Sequence, residues 1–480
     1  MLSIVVAHSY FLRFDEKQRR RSKPYPPLAT LQVAALLREA KHEVALFDAM
    51  LAEGVCDYDA VLEAARPQLV LFYEDNYNFL SKMCLGKMRR ACCDMIASAK
   101  RSGARVIAAG SDASDAPDEY LKAGADVVLR GEGLPALVAL VSRLDADAAL
   151  PVEQLVAGVP AVVAAVDGSA FRSRPVATLP VPQLPSPAWD LVDIERYRSA
   201  WLEAHGYFSL NMAASRGCSF RCNWCAKPIW GNQYLQRHAS DTAAEMLQLK
   251  RRYAPDHVWF ADDIFGFRAD WVTAFAAALD AGGGGLPFTI QLRADLVSER
   301  MARALRTAGC REVWIGAESG SQKILDAMNK GTRVADIVTA RGVLRAEGIR
   351  VGFFLQLGYL GEDLDDILAT RDLVMRARPD DVGISVAYPL PGTKFYDLVK
   401  GQLGDKRHWQ DSNDLDMMFF GTYRTEFYRM VRDLLHDHVS PRRSPSLQRR
   451  WDDLVMREAQ FRRIEAEDTV GAPLAAGAIP

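Results

Sequence analysis

The stretch Ser215–Gly231, SRGCSFRCNWCAKPIWG, decides how the whole chain is read. It places Cys218, Cys222 and Cys225 in a C-x-x-x-C-x-x-C spacing. The run just before it, FSLNMAA (208–214), predicts a short buried strand, so the cysteine loop leaves a strand's carboxyl end. Downstream the pattern repeats. HVWFAD (257–262), FTIQLR (288–293), EVWIGAE (312–318), RVGFFLQL (350–357) and VGISVAY (382–388) predict further strands. Helical patterns fit at 240–253, 269–281, 298–308, 321–328, 334–347 and 364–377. Strand–helix alternation of this kind builds a parallel sheet. A closed eight-fold barrel takes about 250 residues. Residues 206–400 have room for six repeats, which predicts an open six-stranded partial barrel with its active face at the strands' carboxyl ends.

Three thiolates on one tight loop suit three corners of a cubic [4Fe–4S] cluster, which usually takes four cysteines. Three ligands leave one iron open to a substrate or cofactor. A structural zinc site with His238 as fourth ligand is the alternative, but zinc loops favour paired C-x-x-C arms. Three buried thiols without a ligand fit poorly beside Arg216, Arg221 and Lys227.

Upstream, LSIVVAH, HEVALFD, LVLFY, RVIAAG and DVVLRG alternate with helical patterns over residues 1–145. This predicts an α/β, doubly wound Rossmann-like domain with LVLFY (69–73) central. Residues 146–205 are rich in Pro and Val, and LPVPQLPSPAWDLVD carries four prolines. They read as a linker with a small hairpin, ending in a short helix near Ile194–Trp201. Residues 401–480 show helical patterns and no clear strand, and the tail GAPLAAGAIP reads as frayed. The 480 residues are 49% hydrophobic and 25% charged, a folded composition. A net charge of −2 gives no pull toward nucleic acid or anionic membrane. No run approaches the roughly 20 apolar residues of a membrane span. MLSIVVAHSYF lacks a basic n-region, so cytoplasmic localisation is expected, with eight cysteines kept reduced.

The cysteine spacing, with Trp224 between the last two cysteines, resembles the signature of the radical SAM superfamily. The resemblance implies that the open iron chelates S-adenosylmethionine (SAM), whose reductive cleavage yields a 5′-deoxyadenosyl radical. Other strand ends fit the family residue by residue. WFADDIFG offers Asp262 and Asp263 for the methionine amino group, and QLRADL offers Gln291 and Arg293 near ribose and carboxylate. WIGAESGS offers Glu318 and Ser319, LQLGYLGED offers Gly358 and Gly361 near adenine, and AYPLPGT places Tyr388 at the last exit.

The first domain resembles the cobalamin-binding domain of one radical SAM subgroup, on YPPLATLQVAALL (25–37), GSDAS (110–114) and GADVVLRGEG (124–133). The resemblance implies cobalamin contacts from Gly110, Ser111, Ser114, Gly131, Glu132 and Gly133. No D-x-H-x-x-G stretch supplies a cobalt-binding His. Asn76, Tyr77 and Asn78, in EDNYNFL (74–80), are expected near cobalt as weak or absent ligands. EKQRRRSKP (16–24) reads as a solvated loop, and Cys56, Cys84, Cys92, Cys93 and Cys310 as packing residues. His8, His205 and His408 show no partner pattern.

The function implied is a cobalamin-dependent radical SAM C-methyltransferase acting on a small molecule, with an external donor such as flavodoxin or ferredoxin. An oxidative cyclase related to the anaerobic Mg-protoporphyrin ester cyclase branch is the alternative, because YRTEFYRMVRDLLHDHV (423–439) resembles helices of that branch. A methylthiotransferase would need a second three-cysteine set in the first domain, and the spacing there does not supply one. A non-enzymatic metal- or cobalamin-binding sensor would leave Asp263, Arg293 and Glu318 idle.

Overall fold

The computed structural model describes residues 1–78, 85–166, 169–173, 184–225, 232–404, 406, 415–440 and 446–463. Cys84, Lys227, His408, the end of EDNYNFL and the C-terminal tail lie outside the described residues.

The first sheet holds β1 (Ser3–Ala7), β2 (Glu43–Phe47), β3 (Leu69–Tyr73), β4 (Arg105–Ala109), β5 (Val127–Leu129), β6 (Val162–Val166) and β7 (Ser169–Arg172). Their order is β2-β1-β3-β4-β5-β6-β7. The first five run parallel. All five residues of β3 are buried at the centre of this parallel part. Alternate side chains explain why these runs are apolar throughout. Ile4 and Val6 pack with Leu71, Leu137 and Leu140 on one face, while Val5 and Ala7 pack with Phe72, Met95 and Ile96 on the other. The hairpin expected in the linker is β6–β7. It pairs antiparallel with β5 and extends the first sheet, so the 146–205 segment is not simply a connector.

The second sheet is the expected parallel partial barrel. It comprises β8 (Ser209–Met212), β11 (His257–Phe260), β12 (Phe288–Leu292), β13 (Cys310–Glu318), β14 (Arg350–Leu357) and β15 (Asp381–Val386), side by side in that order. Between β8 and β11 lies an antiparallel ribbon of β9 (Ser215–Gly217) and β10 (Tyr234–Gln236), unforeseen in the sequence because each strand has three residues. Helices at Ala239–Tyr253, Ala269–Ala281, Glu299–Ala308, Gln322–Ala327, Val334–Ala346 and Leu364–Ala377 cover the outside. Their starts are chemically marked. The Ser298 hydroxyl accepts from Met301 N–H, and Asp363 forms a capping box with Asp366.

Helix Ile194–His205 ties the two sheets together. Its Trp201 is buried and donates from Nε1 to the Pro24 carbonyl at 2.7 Å, while Tyr197 donates to Asp48 at 2.7 Å. Asp48 also holds His8 at 2.9 Å, so His8 is a partnered core histidine. His205 likewise sits 2.9 Å from the Ser22 carbonyl. EKQRRRSKP is not a loop throughout, since Glu16–Arg21 form a helix capped by Asp15. Cys92 and Cys310 pack as expected, but Cys56 is exposed. Past β15, helix Thr425–Val439 buries Phe427, Tyr428, Val431 and Leu435, and Trp451 of helix Leu447–Met456 bonds His438 at 2.9 Å. Among the described residues, no helix is long and apolar enough to cross a membrane.

Candidate active site

The cysteine loop leaves β9, one short strand later than the sequence suggested. Cys218 is buried, Cys222 and Cys225 are half-buried, and none of the three forms a disulfide. The loop is clamped to the barrel by Asn223 and Asn329. Asn223 donates from Nδ2 to Ala327 O at 2.7 Å and from its N–H to Met328 O at 3.1 Å. Its Oδ1 accepts from Tyr359 at 2.8 Å. Asn329 donates back to Arg221 O at 2.9 Å. The stretch 327–330 after β13 and Tyr359 after β14 therefore hold the loop at the strands' carboxyl ends.

Arg293, 5% exposed, is central to this arrangement. Its guanidinium lies 3.7 Å from the Phe220 ring centroid and donates from Nη1 to Cys222 Sγ at 3.7 Å. The same group grips Asp295 with two 2.9 Å bonds and reaches Lys330 O at 2.8 Å and Thr332 Oγ1 at 2.9 Å. The expected bidentate pairing is thus made with the chain's own Asp295. Lys330, missed in the sequence, is buried with its ammonium 2.8 Å from Glu318 Oε1. Burial pulls the Lys330 pKa down, but the Glu318 and Cys222 charges outweigh it and the net direction is upward.

The remaining strand-end residues divide. Glu318 is poised at a left-handed φ of 59°, where β13 shifts register against β14. Trp224 carries a buried indole Nε1 with no partner among the described residues, and its ring centroid lies 6.0 Å from the Lys330 ammonium. Gln291 is half-buried on β12, Tyr388 is half-buried past β15, and Asp263 is exposed. Gly361 has open space on its Cβ side. Three of these residues have partners within the chain. Ser319 is fully buried against Thr370 at 3.2 Å and accepts from Ser321 N–H at 3.1 Å. A Cβ on Gly358 would meet Met417 Sδ at 2.9 Å, so the C-terminal region, and no open cradle, occupies that side. Asp262 accepts from Ala214 N–H at 3.0 Å and from Ser215 Oγ, which anchors β9 beneath the cysteines.

Burial pushes Asp262 up to about 7 against those hydrogen bonds. A carboxyl with a raised folded pKa favours the fold when protonated. That contribution is fully present below the unfolded value of 3.8 and is lost as pH rises through about 7. Asp262→Asn is expected to flatten the loss of stability between about pH 4 and about pH 7, read by urea unfolding across that range.

In the first domain, the glycines serve the chain itself. A Cβ on Gly110 would lie 2.7 Å from Glu74 Cβ, and one on Gly133 would lie 2.7 Å from Leu129 Cβ. Ser114 accepts from Gly131 N–H at 2.9 Å and donates to Gly110 O at 2.7 Å, stapling the two strand-end loops. Ser111 is half-buried at the start of helix Ser111–Asp115. Asn76, Tyr77 and Asn78 form a turn on Asp75, with Asn78 N–H donating to Asp75 O at 3.0 Å and Tyr77 N–H to its Oδ1 at 3.3 Å. Glu132 faces outward from this domain. It makes a buried ion pair with Arg216 of β9, two residues before Cys218. Beside that pair, Gln32 and Tyr77 of the first domain meet Ser215, Gln236 and Arg237 across a narrow cleft. Gln236 Nε2 is buried there with no partner.

Among the described residues, no three His, Cys, Asp or Glu side chains converge where one metal ion could be held. A cubic cluster binds each thiolate to a different iron, so its cysteines need not converge. The donor chemistry fits that group: three thiols on a clamped loop, with two buried cations beside Cys222.

Residues 212–374 match the model of the Radical SAM superfamily. The span runs from the end of β8 through every strand end around the cysteine loop up to β14. Residues 212–374 thus carry a radical SAM domain, which implies SAM and a [4Fe–4S] cluster, and the chain is an enzyme. An uncharacterized methyltransferase of Pyrococcus horikoshii is 24% identical over 399 residues, 82% of this chain and 82% of that protein. The anaerobic magnesium-protoporphyrin IX monomethyl ester cyclase of Rubrivivax gelatinosus is 25% identical over 290 residues, 58% of this chain and 49% of the cyclase. In fold, the chain is similar to the radical S-adenosylmethionine methyltransferase TsrM from Kitasatospora setae, solved with cobalamin and a [4Fe-4S] cluster. The TM-score is 0.67 at 19% identity, over 84% of this chain and 75% of that one.

Proposed function

We propose that the chain is a cobalamin-dependent radical SAM methyltransferase acting on an unactivated carbon of a small molecule. The observation that carries this reading is the buried Arg216–Glu132 pair. It joins the strand leading into the cysteine loop to a strand-end loop of the first domain, so the two candidate cofactor sites face one cleft. When bound, SAM on the cluster supplies hydrogen abstraction and cobalamin supplies a transferable methyl group.

The chain's own residues supply binding, orientation and exclusion of water. Cys218, Cys222 and Cys225 hold the cluster. Arg293 and Lys330 offset the charge of the thiolates. The Trp224 Nε1–H is a buried donor awaiting an acceptor on SAM, and Gly361 leaves room beside the β14 exit. In the first domain, residues 1–145 with the added hairpin form the cobalamin unit. Tyr77 and Gln236 border the narrow cleft beside the Arg216–Glu132 pair. The Arg293 guanidinium lies over the Phe220 ring of the cluster loop.

Metal and corrinoid analysis of the anaerobically reconstituted protein tests this reading. It expects about four irons with matching labile sulfide, together with one corrinoid per chain. Zinc in place of iron would remove the reading altogether. Iron without any corrinoid affinity would remove its cobalamin half.

A further inference from the structure

We propose that Lys330 and Arg293 set the reduction potential of the cluster on Cys218, Cys222 and Cys225, with Glu318 as the counterion that fixes the Lys330 ammonium. The inference rests on the cluster assignment made above and adds to it residues whose part is electrostatic.

Four observations support it. The first is direct contact, since Arg293 Nη1 donates to Cys222 Sγ at 3.7 Å. The second is linkage: the same guanidinium donates to the Lys330 backbone carbonyl at 2.8 Å, which fixes the Lys330 backbone beside it. The third is burial, because Arg293 is 5%, Lys330 7% and Glu318 4% exposed, and charges there are weakly screened. The fourth is the room made for the pair. A Cβ on Gly316 would lie 2.7 Å from both Lys330 Nζ and Glu318 Oε1, and Glu318 accepts a left-handed φ of 59° to reach the ammonium. The left-handed region is unfavourable for a non-glycine residue. A lysine needed only for packing would call for neither device.

The physical consequence follows from charge. Reduction adds one electron, and so one negative charge, to the cluster. Nearby cations and hydrogen bonds to the sulfurs favour the reduced form and raise the potential, whereas a nearby carboxylate lowers it. Lys330 and Glu318 should therefore act with opposite sign on one midpoint.

The test is a potentiometric titration of the reconstituted holoenzyme, followed by EPR without SAM. Lys330→Met is expected to shift the midpoint to more negative potential, and Lys330→Arg to return most of that shift. Glu318→Gln is expected to shift it to more positive potential. Unchanged midpoints in Lys330→Met and Glu318→Gln would overturn the proposal, and so would shifts of the same sign. Loss of the cluster from both variants would also overturn it, because a charge role leaves all three thiolate ligands in place. A wild-type protein without a cluster would overturn the earlier reading as well. A wild-type cluster whose potential ignores these residues would overturn this proposal alone.

Discussion

Replacing Cys218, Cys222 and Cys225 together with Ala is expected to leave the reconstituted protein without bound iron and without reductive cleavage of SAM. The fold should survive the change. Only Cys218 is buried, and the loop is held by Asn223, Asn329 and Tyr359. Small polar or thiol groups removed from such positions cost about 0.5–3 kcal/mol, which a chain with several cores tolerates. Iron content and the far-ultraviolet circular dichroism of the same sample separate loss of ligands from loss of fold. Near-full iron in the triple variant would show that the cluster is held elsewhere.

The second large effect is expected at the contact between the domains. Arg216 is 8% and Glu132 is 3% exposed, and they are paired. Burial pushes the Glu132 carboxyl upward and the guanidinium pulls it back. Arg216→Met keeps the apolar stem but leaves Glu132 buried without its cation. Breaking a buried pair from one side costs about 3–5 kcal/mol, whereas replacing both partners by apolar groups is often close to neutral. Arg216→Met should therefore lower the free energy of unfolding strongly, and Arg216→Met with Glu132→Leu should recover most of it. Chemical denaturation of the apo protein at neutral pH measures both. Equal losses in the single and double variants would mean that the pair contributes packing alone.

Much of this architecture was legible in the sequence, for identifiable reasons. β3 and β14 are buried on both faces, so their runs are apolar enough to read directly, and helix Ala269–Ala281 falls on the expected residues. The cysteine spacing was legible because all three ligands lie on one loop. The clamps were not legible. Asn223 and Ala327 are 104 residues apart, and only closure of the barrel brings them together. Lys330 reads locally as a surface lysine after a short helix, and nothing nearby in sequence reveals that Glu318 buries it. Arg293 reads from its strand-end position as a residue near the ribose and carboxylate of SAM, and its bonds to Lys330 and Thr332 are not legible because those partners lie 37 and 39 residues away. Gly110 and Gly133 read as places where a cofactor can approach the backbone, and the sequence does not show that Glu74 and Leu129 lie against their Cβ directions. The β6–β7 hairpin was read as part of a linker because short edge strands among Pro and Val carry little periodicity.

The central claim is methyl transfer through cobalamin by a radical SAM enzyme. Turnover with methyl-deuterated SAM, a low-potential reductant and the substrate tests it most directly. Each turnover is expected to yield one 5′-deoxyadenosine and one S-adenosylhomocysteine, with one labelled methyl group on the product. Deoxyadenosine accompanied by an oxidised product without the label would contradict it.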